Sequence, residues 1–107
     1  MSGSQYKSKR SKATDIPMKV KEAVWERDGH CCIICGNYHA MPNAHYISRA
    51  QGGLGIEQNI VTLCLRCHEQ YDNGDKRELY GSLIRVYLQS HYPGWDEKNL
   101  YYRKWED

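Results

Sequence analysis

The chain contains no apolar run near the roughly 20 residues that a membrane-spanning helix requires, and its opening residues lack the apolar stretch of a signal peptide. These absences predict a protein that neither enters a membrane nor passes through an oxidising compartment, which leaves the cytoplasm. No internal repeat and no glycine-rich nucleotide-binding motif is present, so solenoids and nucleotide-binding α/β folds are excluded. An excess of one charge is also missing. The 15 Lys and Arg against 13 Asp and Glu leave a net charge of +2, too small for whole-molecule electrostatics to identify a nucleic-acid partner. At 107 residues the chain allows one domain with a limited core, a size that commonly needs a staple.

Five cysteines supply that staple. In a reducing compartment, paired CxxC motifs read as metal sites rather than disulfides. Cys32-Ile33-Ile34-Cys35 and Cys64-Leu65-Arg66-Cys67 are two such knuckles, and they can meet only if the chain between them folds back. Four thiolates make a closed tetrahedral set that suits zinc and leaves no position for substrate, so Cys32, Cys35, Cys64 and Cys67 are expected to hold a structural Zn²⁺. Cys31 would break the CxxC spacing to Cys35 and is expected to be a buried or free thiol. His39 is expected to be a loop residue.

Charge is unevenly spread. Residues 1–15 contain Lys7, Lys9, Arg10 and Lys12 with almost no apolar side chains, which predicts a disordered basic arm; a solubilising tail and a phosphate-tracking role both fit it. Residues 16–107 are expected to fold. Residues 16–28 read as a helix, with Pro17 tolerated in the first turn, Val20, Ala23 and Val24 forming an apolar stripe, Trp25 packing inward and Gly29 as the stop. Over residues 77–91, Tyr80, Ile84 and Leu88 recur at helical spacing with Leu79, Leu83 and Val86 nearby, predicting a second helix that serves mainly the core until Tyr92-Pro93-Gly94 breaks it. A short helix can start at Asp96. The closing tyrosines and tryptophans either pack on the domain or face a partner.

Chemistry concentrates in residues 43–72, NAHYISRAQGGLGIEQNIVTLCLRCHEQYD. Residues 44–48 alternate polar and apolar, residues 51–55 form a glycine-rich turn and residues 60–63 are a β-branched run, which together suggest a hairpin. Cys67, His68, Tyr71 and Asp72 then recur at helical spacing before Asn73-Gly74. The unit reads strand, strand, helix, with His45 on the first strand opposite His68 on the helix. A neutral imidazole of ordinary pKa near 6.5 can take a proton from water at physiological pH, so His45 is a candidate general base. A zinc deaminase would have a glutamate two residues later, where this chain has Ile47. His68 and Asp72, one helical turn apart, can converge on one cation.

AHYISRAQGG, NIVTLC and the following CH resemble the HNH endonuclease motif of the ββα-metal superfamily over roughly residues 16–72, flanked here by two CxxC pairs. The resemblance implies an α+β fold, a small zinc-stapled ββα-metal core over about residues 42–73 followed by helices over about residues 76–107. It implies a metal-dependent DNA endonuclease that leaves 3′-hydroxyl and 5′-phosphate ends. His45 would be the base, Asn59 the middle residue that pins the glycine loop or orients His45, and His68 with Asp72 the ligands of a catalytic Mg²⁺ or Mn²⁺. Arg49 and the backbone amides of Gly52 and Gly53 suit phosphate, the guanidinium by its geometry and glycine by permitting close approach. Lys7, Lys9, Arg10 and Lys12 would track the DNA backbone, so that losing residues 1–13 weakens binding without abolishing cleavage.

One departure stands out. Many members carry Asp or His directly before the base as a further metal ligand, and this chain has Ala44. Either the cation is held by His68, Asp72, water and substrate phosphate, or the chain is a catalytically silent zinc module that binds DNA or a protein. The joint presence of His45, Asn59 and His68 favours the nuclease. Small stand-alone proteins of this type are often phage or prophage encoded, which implies the cytoplasm of a bacterial host and a packaging or recombination protein as partner.

Overall fold

The computed structural model describes residues 8–103, so Lys7 lies outside the described residues. Its elements are α1 (Lys9–Thr14), α2 (Met18–Arg27), β1 (Ala40–His45), β2 (Ile60–Cys64), α3 (Leu65–Asp72) and α4 (Arg77–His91), with 3₁₀ turns at Arg49–Gln51, Glu57–Asn59 and Glu97–Leu100. The fold is α+β, with the ββα unit β1-β2-α3 at its centre. Among the described residues no helix is long and apolar enough to cross a membrane.

β1 and β2 pair antiparallel, with Ala40 opposite Cys64 and Met41 opposite Leu63, then Ala44 opposite Val61 and His45 opposite Ile60. The pairing shifts between Met41 and Ala44, where Pro42 brings no amide to the ladder. This bulge sets the site. Side chains alternate across a strand, so one extra residue exchanges its faces. Beyond it Ala44 is fully buried in the core while His45 is only partly covered. The first strand was expected over residues 44–48; it instead ends at His45, and the residues after it turn into the loop.

α2 buries Val20 and Val24 against Ile60, with Ile16 packed on the same cluster. Pro17 is the N-cap of α2, so the helix begins after the expected residue 16. Trp25 stacks on His30, ring centroids 5.0 Å apart. At the C-terminal end, Arg27 and Asp28 form an ion pair of 2.7 Å whose side chains are nearly and fully buried. Asp28 also accepts from the amide of Thr62 (2.8 Å) and the hydroxyl of Tyr87 (2.6 Å), and Arg27 donates to the carbonyls of Glu57 (2.8 Å) and Ile60 (2.7 Å). These bonds tie α2 to β2 and α4.

The larger core cluster unites both knuckles, Ala44, Val61 and Leu63 with Ile84 and Leu88 of α4, flanked by Tyr80 and Tyr87. α4 has the expected bounds, but Leu79, Leu83 and Val86 are exposed. Only one stripe of that helix faces the core.

The basic arm requires a correction. Residues 8–15 are ordered, with Ser8 capping α1 by accepting from the amide of Ser11 at 3.0 Å. Thr14 is buried, the amide of Gly55 donates to the Ala13 carbonyl (2.9 Å), and Arg10 donates to the carbonyls of Arg49 (3.2 Å) and Ala50 (2.7 Å). Order comes from these bonds to the loop, which apolar content does not register. From the other terminus, Tyr101 pairs with Gly53, Leu54 donates to the Leu100 carbonyl (2.8 Å) and Tyr102 donates to the Gly52 carbonyl (2.8 Å). Residues 100–102 thus pack on the domain, while Trp105 lies outside the described residues. Asp96 caps its 3₁₀ turn by accepting from the amide of Lys98 at 3.0 Å.

Candidate functional site

The folded-back hairpin brings the two knuckles together. Cys32, Cys35, Cys64 and Cys67 place their sulfurs within 4.8 Å of one another, and Cys35 and Cys64 are 3.6 Å apart. A tetrahedron with zinc–sulfur bonds of about 2.3 Å has edges of about 3.8 Å, so the four sulfurs fit one zinc ion. Two local devices build the set. Gly36, at φ 82°, closes the first turn by donating to the Cys32 carbonyl (2.9 Å), and Cys64 is the N-cap of α3, its sulfur accepting from the amide of Cys67 (3.4 Å). Ile33 donates to the Thr62 carbonyl (3.0 Å) and fastens the first knuckle to β2. Burial and then the neighbouring sulfurs push the Cys67 thiol well above its ordinary value. A cation is therefore what would allow four thiolates to share this space. Cys31 is half-buried outside the set, its thiol on the Asp28 carbonyl at 3.5 Å. His39 is an exposed loop residue.

A separate open cleft of about 440 Å³ lies between the loop after β1 and α3. His45, Arg49, His68 and Asp72 line it together with Tyr71 and Arg77. His68 Nε2 and Asp72 Oδ2 are 3.1 Å apart on one face of α3. His45 Nε2 lies 2.9 Å from the Thr14 carbonyl. A carbonyl only accepts, so in the neutral ring the hydrogen sits on Nε2 and the free lone pair on Nδ1. Burial pushes the His45 pKa below its ordinary 6.5, with the nearby Arg49 guanidinium and His68 ring adding to the effect. The Thr14 carbonyl and Asp72 work the other way without reversing it.

Asn59 is fully buried and its three side-chain bonds go to the loop. Its Oδ1 accepts from the amide of Ile47 (2.8 Å), and its Nδ2 donates to the carbonyls of Ile47 (3.1 Å) and Leu54 (2.8 Å). Of the two roles expected for it, pinning the loop is the one these bonds perform. Tyr71 donates to the Tyr46 carbonyl at 2.7 Å, and burial pushes its phenol up to about 12, so it stays a hydrogen-bond donor at neutral pH.

Two expectations on the loop change. The amides of Gly52 and Gly53 donate to the carbonyls of Arg49 (2.9 Å) and Ser48 (2.8 Å), so they close a turn and are not free for phosphate. Gly53 is required for packing, since a Cβ there would lie 1.7 Å from the Ile47 carbonyl oxygen. Arg49 pairs with Asp15, and the Arg10 guanidinium is occupied by the loop carbonyls. Lys9 and Lys12 are exposed on α1. Tyr71 and Arg77 of the cleft wall were not singled out as site residues. The spacing of Tyr71 three residues after His68, on one helix face, was the signal available for it.

The sequence profile described as HNH endonuclease matches residues 32–74, from the first knuckle to the residue after the C-cap of α3. The chain belongs to the HNH endonuclease family. The match leaves α1, α2 and α4 outside the HNH motif. Residues of the chain are also similar to Anaredoxin of Nostoc sp. (strain PCC 7120), at 31% identity over 58 residues, covering 53% of this chain and 76% of that protein.

Proposed function

We propose that this HNH protein is a zinc-stapled, divalent-metal-dependent DNA endonuclease. The observation that supports it most is the shared cleft, lined by His45, whose Nε2 is held by the Thr14 carbonyl, and by the His68–Asp72 pair of α3. Adjacent ligands on an octahedral ion at about 2.1 Å are about 3 Å apart, so the 3.1 Å between His68 Nε2 and Asp72 Oδ2 fits two neighbouring positions on Mg²⁺ or Mn²⁺. When bound there, the cation supplies Lewis-acid polarisation of the phosphate and neutralises charge on the departing oxygen.

In this reading His45 Nδ1 takes a proton from the water that attacks phosphorus in line, while Nε2–H stays on the Thr14 carbonyl and holds the ring plane. Asn59 fixes the loop from which Arg49 projects. Arg49 leaves Asp15 for a phosphate oxygen, which its planar fork also matches. The cleft shares its walls with two further hollows, one lined by Lys21 and Arg49 with Asp15, the other by Arg77 and Arg85 with Glu78 and Glu97. These cations suit a nucleic-acid strand laid across the site. A bacterial cytoplasm, a phage origin and a packaging or recombination partner rest on the resemblance alone.

The rival is a catalytically silent zinc module that binds DNA or a protein, and burial of Ala44 in the core favours it, because that position brings no metal donor. Plasmid nicking with Mg²⁺ or Mn²⁺, against EDTA and His45→Ala, separates the two. Metal-dependent nicking lost in the variant supports the nuclease; DNA binding with no nicking under any metal supports the module.

A further inference from the structure

We infer that residues 8–16, which lie outside the HNH match, are the positioning element of the active site and hold His45 as a base through the Thr14 carbonyl. The inference rests on the nuclease reading for its consequence, and on the contacts of α1 for its geometry. The last carbonyls of a helix have no partner within it, and α1 ends at Thr14. His45 Nε2 lies 2.9 Å from that carbonyl. Without this acceptor the imidazole could carry its hydrogen on either nitrogen and could turn about its side-chain bonds. With it, Nδ1 is the nitrogen left to act.

Three anchors place the Thr14 carbonyl. Arg10 donates to the carbonyls of Arg49 and Ala50 at 3.2 and 2.7 Å, clamping α1 to the loop that follows β1. Thr14 itself is buried, its hydroxyl donating back to the Arg10 carbonyl at 3.0 Å and the Ser11 carbonyl at 3.3 Å. Beyond it the backbone lies directly on Gly55, whose amide donates to the Ala13 carbonyl and where a Cβ would fall 1.9 Å from the Asp15 carbonyl oxygen. Asp15 then pairs with Arg49. One short segment therefore holds both the base and the guanidinium proposed to meet the phosphate. Removing residues 1–13 takes away the Arg10 clamp and the helix that ends on Thr14, so on this inference cleavage should fall as well as binding.

Gly55→Ala tests this from outside the catalytic set, since the added methyl must push the Asp15 carbonyl, and Thr14 with it, away from His45. Ring-nitrogen NMR of the zinc-loaded full chain reads the contact without reference to activity. The wild type should give a slowly exchanging His45 Nε2–H signal with an unprotonated Nδ1. In Gly55→Ala, and in Arg10→Ala as the milder variant should the first not fold, that signal should broaden or vanish. Plasmid nicking at saturating DNA should drop by up to about a hundredfold, the scale expected when a reacting group is misplaced by about 1 Å. A wild type lacking the Nε2–H signal, or variants that lose it and nick at the wild-type rate, would overturn the inference. A wild type that has the signal but nicks nothing under any metal would overturn the nuclease reading and leave the contact supported.

Discussion

At His45, which ring nitrogen bears the hydrogen separates a base from a spectator, and so does the pH at which the second proton leaves. Its lowered pKa means that the neutral, proton-accepting form dominates to a lower pH than in a free imidazole. In the proposed mechanism the acid limb of kcat/KM for nicking should have its midpoint below about 6.5, and a limb centred above about 7 would contradict the environment of His45. Asn59 makes a prediction of the other kind. Asn59→Ala strands the Ile47 amide and the carbonyls of Ile47 and Leu54 in the interior, at a cost of about 3 kcal/mol or more. The melting temperature should fall by roughly 10 °C or more, and calorimetry on the zinc-loaded protein would read it. An unchanged transition would mean that the loop holds its form without Asn59.

The elements divide into those whose cause is local and those whose cause is distant. α4 was legible to the residue because Tyr80, Ile84 and Leu88 repeat along one stripe, and the cysteine set was legible because a CxxC turn is a local device. β1 was not, since Pro42 and the bulge interrupt the alternation that announces a strand, and His45 owes its outward aim to that interruption. α1 was hidden for a different reason: its order depends on a bond from Arg10 to a carbonyl 40 positions away, which no window of composition contains. The same distance hid the role of Gly55, which lies against Asp15, while Gly53, expected to face phosphate, lies instead against the Ile47 carbonyl. At this scale the zinc knuckles carry the clearest test. Metal analysis should return about one zinc per chain, and Cys67→Ser should lose the cooperative melt, because the first knuckle, the end of β2 and the start of α3 meet at that ion. Iron in place of zinc would change the metal assigned to a sulfur-only site, and a normal melt in the variant would remove its structural role.

For the whole molecule, a net charge of +2 leaves any attraction for nucleic acid to local geometry, in the proposed reading to Lys21, Arg49, Arg77 and Arg85 of the cleft and the hollows that share its walls. Replacing Arg77 and Arg85 together with Gln should weaken DNA binding and reduce the slope of log affinity against log salt by roughly one to two, about one for each phosphate that is no longer neutralised. An unchanged slope would place the strand elsewhere. The central claim is that this HNH fold cleaves, using His45. The measurement that tests it most directly is the nicking rate of supercoiled plasmid in Mg²⁺ or Mn²⁺ for the wild type and His45→Ala, with zinc content and melting temperature recorded for both. The account predicts equal zinc content, a folded variant, and nicking reduced by about a hundredfold or more. Equal nicking by the two folded proteins would contradict it.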